Sequence, residues 1–573
     1  MKLLLQSLKP YKAVSILAPL FKMLEAILDL LVPLVMAGMI DVGIAAGDRG
    51  YILRRCALLV LLGAVGLAFS ITAQFFSAKA AVGAASDLRH SVFAHIQTLG
   101  FAETDAFGSG SLITRMTGDV QQVQNGLNMS LRLLLRSPFI VFGAAAFAFT
   151  VDTRSGLLVS GSIPVLAIVV FVVMAVTTPL YVRVQSKLDR LTTGVQENLT
   201  GARVVRAFHT QARETQDFRK NNASLLSAQL HVGRLSSLMN PVTLVIVNLF
   251  TAAILYSGAV NVGFGRLQQG DVIALVNYMS QILIELVKLA NLIVLLSKGI
   301  ASANRLQEIM ETKPKMTFGT QEVVVQSDAP AVEFQGVSLR YDGAGEASLT
   351  DISFAVHKGE TVGVIGGTGS GKSSLIHLIP RFYDATQGSV RIFGKDVRVL
   401  SRESLRLTVG IVPQKVQLFS GTVESNLLYG VKQNISQQEL WNALDTAQAA
   451  EFVRALPQGL QSPVEQDGRN FSGGQKQRLT IARALVPNPD ILILDDSASA
   501  LDLATDAALR KAIRRLPMTV FIVSQRTNAI RNADRILVLD DGMLVGNDTH
   551  DALLESCAVY RELYASQSGE ALV

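Results

Sequence analysis

Three stretches of this 573-residue chain, 56–78, 155–182 and 235–265, contain no Asp, Glu, Lys or Arg. Crossing about 30 Å of hydrocarbon takes roughly 20 mostly apolar residues, so each is long enough to span a bilayer. Weaker windows at 14–40, 137–151 and 272–297 bring the predicted spans to six. All lie before about residue 300, whereas charged side chains are common after 330, which predicts a membrane half followed by a soluble half. We place the membrane domain at 1–312, a linker at 313–330 and the soluble domain at 331–573.

Basic residues set the expected orientation. The segment between the fourth and fifth windows carries Arg183, Lys187, Arg190, Arg203, Arg206, Arg213, Arg219, Lys220 and Arg234, while the turns near 41–50, 152–154 and 264–271 carry few. Both long connections, 83–130 and 183–235, and both termini are therefore expected in the cytoplasm. These connections alternate apolar and polar residues at helical spacing, which predicts membrane helices extended into the cytoplasm. The first span has no small-residue cleavage site behind it and reads as uncleaved. The net charge of +6 fits such loops; no basic stripe interleaved with aromatics points to nucleic acid. Two cysteines, Cys56 and Cys557, are too few for a disulfide framework or a zinc site.

Charges inside spans are costly and need a reason. Lys22, Glu25 and Asp29 share one helical face, and Glu285 and Lys288 stand one turn apart in the last span. They are candidates for the polar lining of a translocation cavity, or equally for self-satisfied pairs that hold helices in register. Pro138, Pro164, Pro179 and Pro241 are expected to kink or end helices.

From residue 331 onward, β-rich runs at 331–341, 361–365, 409–412, 491–494 and 520–523 alternate with helical stretches, an α/β pattern. Between the second run and a helix lies Gly366-Gly367-Thr368-Gly369-Ser370-Gly371-Lys372-Ser373, followed by Ser374. This is a P-loop: backbone N–H groups close around phosphates, Lys372 reaches the β and γ phosphates, and the Ser373 hydroxyl can bind Mg²⁺. The apolar run 491–494 ends in Asp495, the acid expected to partner that Mg²⁺.

About twenty residues before Asp495, Phe471-Ser472-Gly473-Gly474-Gln475 opens another helical run. Here the sequence resembles the ABC ATPase family, whose signature is LSGGQ, and the resemblance covers the whole chain. It implies a six-helix exporter-type membrane domain fused to an ATP-hydrolysing P-loop domain that uses ATP and Mg²⁺. By resemblance, Tyr341 stacks on adenine, Gln414 contacts Mg²⁺ and the attacking water, and Ser499-Ala500-Leu501-Asp502 crosses a dimer interface. Residues 110–115, 197–201 and 203–208 look like the family's two intracellular coupling regions, and 297–310, with Arg305, like its exit from the sixth helix.

Two positions depart from the family. Asp496 stands where a Glu normally polarises the attacking water, and Gln525 stands where a switch His is usual. A shorter carboxylate and a side chain unable to carry a proton predict a site that binds ATP and hydrolyses it slowly. The signature Ser472, Gly473, Gly474 and Gln475 is intact, and family domains pair head to tail. The resemblance thus implies a heterodimer in which a different half-transporter supplies the consensus P-loop, Glu and His; 464–470 also departs from the homodimeric exporters' pattern. A homodimer with two slow sites is the alternative. The expected activity is export of hydrophobic or amphipathic compounds (drugs, lipids or peptides) across a bacterial cytoplasmic (inner) membrane. Uptake by an exporter-fold importer, as for some siderophores, and a regulatory ATP-binding role are the competing readings.

Overall fold

Among the described residues, six helical stretches are long and apolar enough to cross a membrane: Gln6–Ile44, Arg49–Ile96, Ser109–Val151, Thr153–Thr200, Gln211–Gly263 and Gln269–Glu311, the first to sixth spans. At 1.5 Å per residue, a 48-residue helix such as Thr153–Thr200 is about 72 Å long, more than twice the hydrocarbon thickness. The computed structural model describes residues 6–326, 328–431, 434–497 and 500–568. They divide into two compact units, Met1–Gln97 with Ser109–Thr312, and Thr98–Gly108 with Lys313–Val573.

That division differs from the sequence reading in two places. Residues 98–108, expected in the membrane domain, group with the soluble unit. The reason is aromatic: the Phe101 ring stacks on Phe382 with centroids 4.3 Å apart. The stretch 313–330 is more than a linker. Phe318 and Val323 pack against the soluble core, and Arg381 lies over the Phe318 ring at 4.9 Å.

In the membrane unit, the buried side of the second span is built from small residues, Ala73, Ser77, Ala80, Ala81, Ala84 and Ala85, which let helices approach closely. Leu30, Ile140, Leu166, Ile254, Tyr278 and Ile282 form the centre of the bundle. Pro138 and Pro241 fall in the first turns of helices Arg136–Val151 and Met239–Gly263, where a missing N–H costs little. Pro164 and Pro179 lie inside the uninterrupted helix Thr153–Thr200. Two π-helical turns, Met39–Ile44 and Arg115–Asp119, interrupt the first and third spans.

Among the described residues, twelve strands order the soluble unit: β1 Val332–Leu339, β2 Leu349–Val356, β3 Thr361–Gly366, β4 Gln387–Ile392, β5 Lys395–Asp396, β6 Val409–Val412, β7 Gly421–Thr422, β8 Pro463–Val464, β9 Ile491–Asp495, β10 Thr519–Val523, β11 Arg535–Asp540 and β12 Met543–Asp548. One sheet has the order β12-β11-β3-β10-β9-β6, and only β12 runs antiparallel to its neighbour. Its inner strands read as unbroken apolar runs because both faces are covered; all five residues of β9 are buried. An antiparallel sheet, β2-β1-β4-β5, shares a core with it through Phe334, Ile352, Ile376 and Phe521.

Candidate functional site

The parallel sheet brings four chain segments to one edge. The loop after β3 carries the P-loop, the end of β9 carries Asp495 and Asp496, the residues after β10 are Ser524 and Gln525, and Gln414 follows β6. In open α/β sheets, ligands bind at the carboxyl ends of strands, and a cavity of about 300 Å³ opens here. Thr368 to Ser374, Gln414, Asp495, Asp496 and Gln525 all line it. Gly366 and Gly367 lie at the root of the loop rather than in the lining. A Cβ on Gly366 would sit 2.1 Å from the Leu539 carbonyl oxygen, so only glycine fits. Gly371 holds φ +94° at the start of helix Lys372–Leu378, a conformation that other residues rarely adopt.

The Lys372 ammonium donates to the carbonyl oxygens of Gly366 and Gly367 at 3.0 and 2.6 Å and to Ser370 Oγ at 3.3 Å. Burial holds its pKa below the usual lysine range, against the pull of Asp495 and Asp496. Burial, with Asp496 beside it, pushes the Asp495 carboxyl up to about 6. A buried carboxylate destabilised by a neighbouring one is what a divalent cation relieves, so the donor set Ser373, Gln414 and Asp495 fits Mg²⁺ completed by phosphate oxygens. Among the described residues, no group of three or more His, Cys, Asp or Glu could hold a metal without such oxygens. Asp496 stands at φ +45°, and its N–H donates to the Val523 carbonyl at 3.0 Å. A non-glycine residue held there marks a position fixed by its surroundings.

Tyr341 lies beside the loop rather than in the cavity lining. Its hydroxyl donates to Ser374 Oγ at 3.0 Å, and its ring meets Tyr383 edge-on at 5.0 Å. Tyr383 in turn donates to Asp105 at 2.6 Å, in the short helix Phe101–Phe107. Burial first, then that hydrogen bond, raise the Tyr383 pKa, so it remains a donor.

The signature residues lie elsewhere. Ser472 caps helix Gly473–Leu485 in a reciprocal box, its Oγ accepting from Gln475 N–H at 3.3 Å while Gln475 Oε1 accepts from Ser472 N–H at 2.9 Å. A Cβ on Gly474 would lie 3.1 Å from the Ala500 carbonyl, so the loop of Ala500, Leu501 and Asp502 lies against the signature within the chain. Asp502 caps the next helix, Leu503–Ile513; Ser499 lies outside the described residues. None of Ser472, Gly473, Gly474 or Gln475 lines the cavity beside the P-loop.

In the membrane unit, the charged side chains singled out in the sequence converge on a residue it did not reveal, Arg136. Its guanidinium donates to Glu285 at 2.7 Å and Asp29 at 2.8 Å and lies 3.7 Å from Glu25. Lys288 pairs with Glu285 at 2.8 Å and Lys22 with Glu25 at 2.5 Å. Three cations thus meet three carboxylates on the first, third and sixth spans. Arg136 stands outside the uncharged window 137–151 by one residue, which is why hydropathy passed over it. The third span is also tied to the sixth by Arg305, whose guanidinium grips both carboxylate oxygens of Asp119 at 2.8 and 2.5 Å.

A family profile described as ABC transporter transmembrane region matches residues 15–286, and one described as ABC transporter matches residues 349–499. An uncharacterised ABC transporter ATP-binding protein of Mycobacterium tuberculosis is 36% identical over 100% of this chain and 99% of its own length. An ATP-dependent lipid A-core flippase of Haemophilus influenzae is 28% identical over 98% of this chain and 96% of its own. A bacterial Atm1-family ABC exporter with ATP bound superposes with a TM-score of 0.80 at 25% identity, over 98% of this chain and 99% of that one. The chain therefore belongs to the ABC transporter family, as a multi-pass membrane half-transporter whose exporter-type membrane domain and ATP-binding domain share one polypeptide.

Proposed function

We propose that this chain is the slow-hydrolysing half of a heterodimeric exporter of hydrophobic or amphipathic compounds in a bacterial cytoplasmic membrane, with both termini in the cytoplasm. The observation that carries this reading is the cavity itself, where an intact P-loop faces Asp496 and Gln525. The P-loop N–H groups and Lys372 bind and orient the phosphates. Mg²⁺, held by Ser373, Gln414 and Asp495, would neutralise phosphate charge. Asp496 is one methylene short of a glutamate, which draws its carboxylate back by roughly 1 to 1.5 Å, and an error near 1 Å can cost about 10²-fold in rate. Gln525 can hydrogen-bond a terminal phosphate but cannot deliver a proton. ATP is thus bound firmly and turned over slowly.

Two further observations support pairing with a second chain. The signature lies away from the chain's own cavity, so it is available to complete another. The short helix Ala202–Ala207 buries no residue, and Leu199, Val204 and Phe208 around it are 74, 59 and 75% exposed. Apolar side chains this bare mark an interaction surface. ATP binding at both sites would close the nucleotide domains and open the membrane cavity outward, and hydrolysis at the partner's consensus site would reset it. The cluster around Arg136 is read as a tie between spans, with the half-exposed Asp29 and Lys288 at its rim. The flippase named above moves a lipid, which favours an amphipathic cargo here.

Affinity purification of the full-length chain, followed by sequencing of the co-purifying subunit, tests the proposal. A partner with Glu at the position of Asp496, His at the position of Gln525 and an altered signature is expected. An ATPase-active complex containing only this chain would overturn the heterodimer. Oriented vesicles that accumulate substrate on the side opposite the ATP sites support export; the reverse establishes import.

A further inference from the structure

We propose that Gln567, in the last turn of helix Ala558–Ser568, is a positioning residue that holds Gln525 against the terminal phosphate and so sets how well this site distinguishes ATP from ADP. This rests on the reading that Gln525 faces the γ-phosphate. The geometry is a two-ended grip. Gln567 Nε2 donates to the carbonyl oxygen of Gln525 at 2.7 Å, while its Oε1 accepts from the Thr527 N–H at 2.8 Å and from Thr527 Oγ1 at 3.1 Å. A carboxamide has one donor end and one acceptor end, and both are used; turned over, it would set donors against donors.

The grip meets a local need. Helix Thr527–Ile530 begins after Arg526 with no side-chain cap of its own. Its first N–H groups lack intrahelical partners, and Thr527 is only 2% exposed, so water cannot easily serve them. Gln567 supplies the missing acceptor from forty residues further along the chain. The same amide bridges residues 525 and 527, so the helix start and the backbone of Gln525 are fixed as one piece. Ser524 completes the hold: its N–H donates to Val364 O at 3.1 Å and its Oγ accepts from Arg526 N–H at 3.0 Å.

Gln567 is itself carried on an anchored element. Tyr560, on the same helix, is fully buried and lies 2.7 Å from His550 Nδ1. Leu563 packs on a cluster that includes Ile530 from the gripped helix and Ile536 and Val538 from β11. The C-terminal helix is thus seated on the sheet that carries Ser524 and Gln525, and one side chain from it reaches the loop.

Apart from Lys372, which also reaches the γ phosphate, the P-loop contacts phosphates that ATP and ADP share, whereas Gln525 concerns only the third. Loosening Gln525 should therefore weaken ATP-like ligands alone. The test is photolabelling of the full-length chain, with its co-purifying subunit, by 8-azido-ATP, read on this chain's band and competed by ADP and by AMP-PNP with Mg²⁺. Gln567→Ala is expected to weaken AMP-PNP about three- to tenfold, the size of one hydrogen bond, and to leave ADP unchanged. In a Gln525→Ala background, Gln567→Ala should add nothing. Should Gln567→Ala fail to fold, Gln567→Glu keeps the acceptor and loses the donor, and the same selective loss is expected. Equal weakening of both ligands, an unchanged ratio, or full additivity with Gln525→Ala would overturn the assignment. If Gln525→Ala alone leaves the ratio unchanged, the phosphate role of Gln525 fails, and the inference falls with it.

Discussion

The hydroxyl of Tyr383 donates to the Asp105 carboxylate at 2.6 Å, joining the aromatic cluster beside the P-loop to a helix from the connection between the second and third spans. With Tyr341 edge-on to Tyr383, the helix 101–107 is two side chains from the position assigned to adenine. Tyr383→Phe keeps the ring and removes the hydrogen bond. We expect ATP hydrolysis by the complex to stay within about twofold, while substrate moved per ATP falls about two- to fivefold. Parallel ATPase and vesicle-transport assays measure the ratio, and an unchanged ratio refutes a coupling role.

Asp495 makes stability depend on pH. Its carboxyl titrates near 6 in the fold against 3.8 ordinarily, so the native state holds this proton more tightly than the unfolded chain. The group favours folding below about pH 3.8 and loses that contribution as pH rises through 6. At pH 7.5 the ionised form opposes folding by roughly 2 to 3 kcal/mol. Asp495→Asn should therefore raise the unfolding temperature in EDTA without nucleotide at pH 7.5, with the gain vanishing near pH 4, while ATP binding with Mg²⁺ weakens. A gain of equal size at both pH values would contradict this.

Asp496→Glu restores the missing methylene but not the missing histidine. We expect the single change to raise hydrolysis at this site by less than about tenfold, because Gln525 still cannot carry charge or a proton. Asp496→Glu with Gln525→His should exceed it. Single-turnover hydrolysis with the partner's site disabled reads this directly, and a large gain from the single change would locate the whole defect in the shortened side chain.

Arg136 serves three carboxylates, and its Nε is buried without a partner of its own. Removing one partner from a buried ion pair costs on the order of 3 to 5 kcal/mol. Arg136→Ala should therefore lower thermal stability in detergent sharply. Arg136→Gln combined with Glu285→Gln, which removes one charge of each sign, should cost less than Arg136→Gln alone. A double variant as unstable as the sum of its parts argues against a shared network.

The spans and the nucleotide motifs were legible because each rests on a local signal: uninterrupted apolar length in one case, glycine spacing between a strand and a helix in the other. What escaped depends on distance along the chain. Arg136 reads as a flank until Asp29 and Glu285 approach from 107 and 149 residues away. The antiparallel strands β2, β4 and β12 carry mixed burial and lack the solid apolar runs that identified β3 and β9, whereas β11, with Ile536 to Leu539 all buried, has such a run and was equally legible. Phe101 and Phe318 sit in polar neighbourhoods, and only the fold shows that Phe101 stacks on Phe382 and Phe318 packs against the soluble core. Gln567 carries no motif at all; its importance comes from an uncapped helix forty residues earlier.

Residues 98–108 also bear on how this protein can be taken apart. A soluble ATPase fragment begun at residue 313 omits them, leaving Phe382 without its stacking partner and Tyr383 without its acceptor. Such a fragment would present a sticky aromatic face to its neighbours. A faithful minimal motor must therefore be stitched from two separate pieces of the gene.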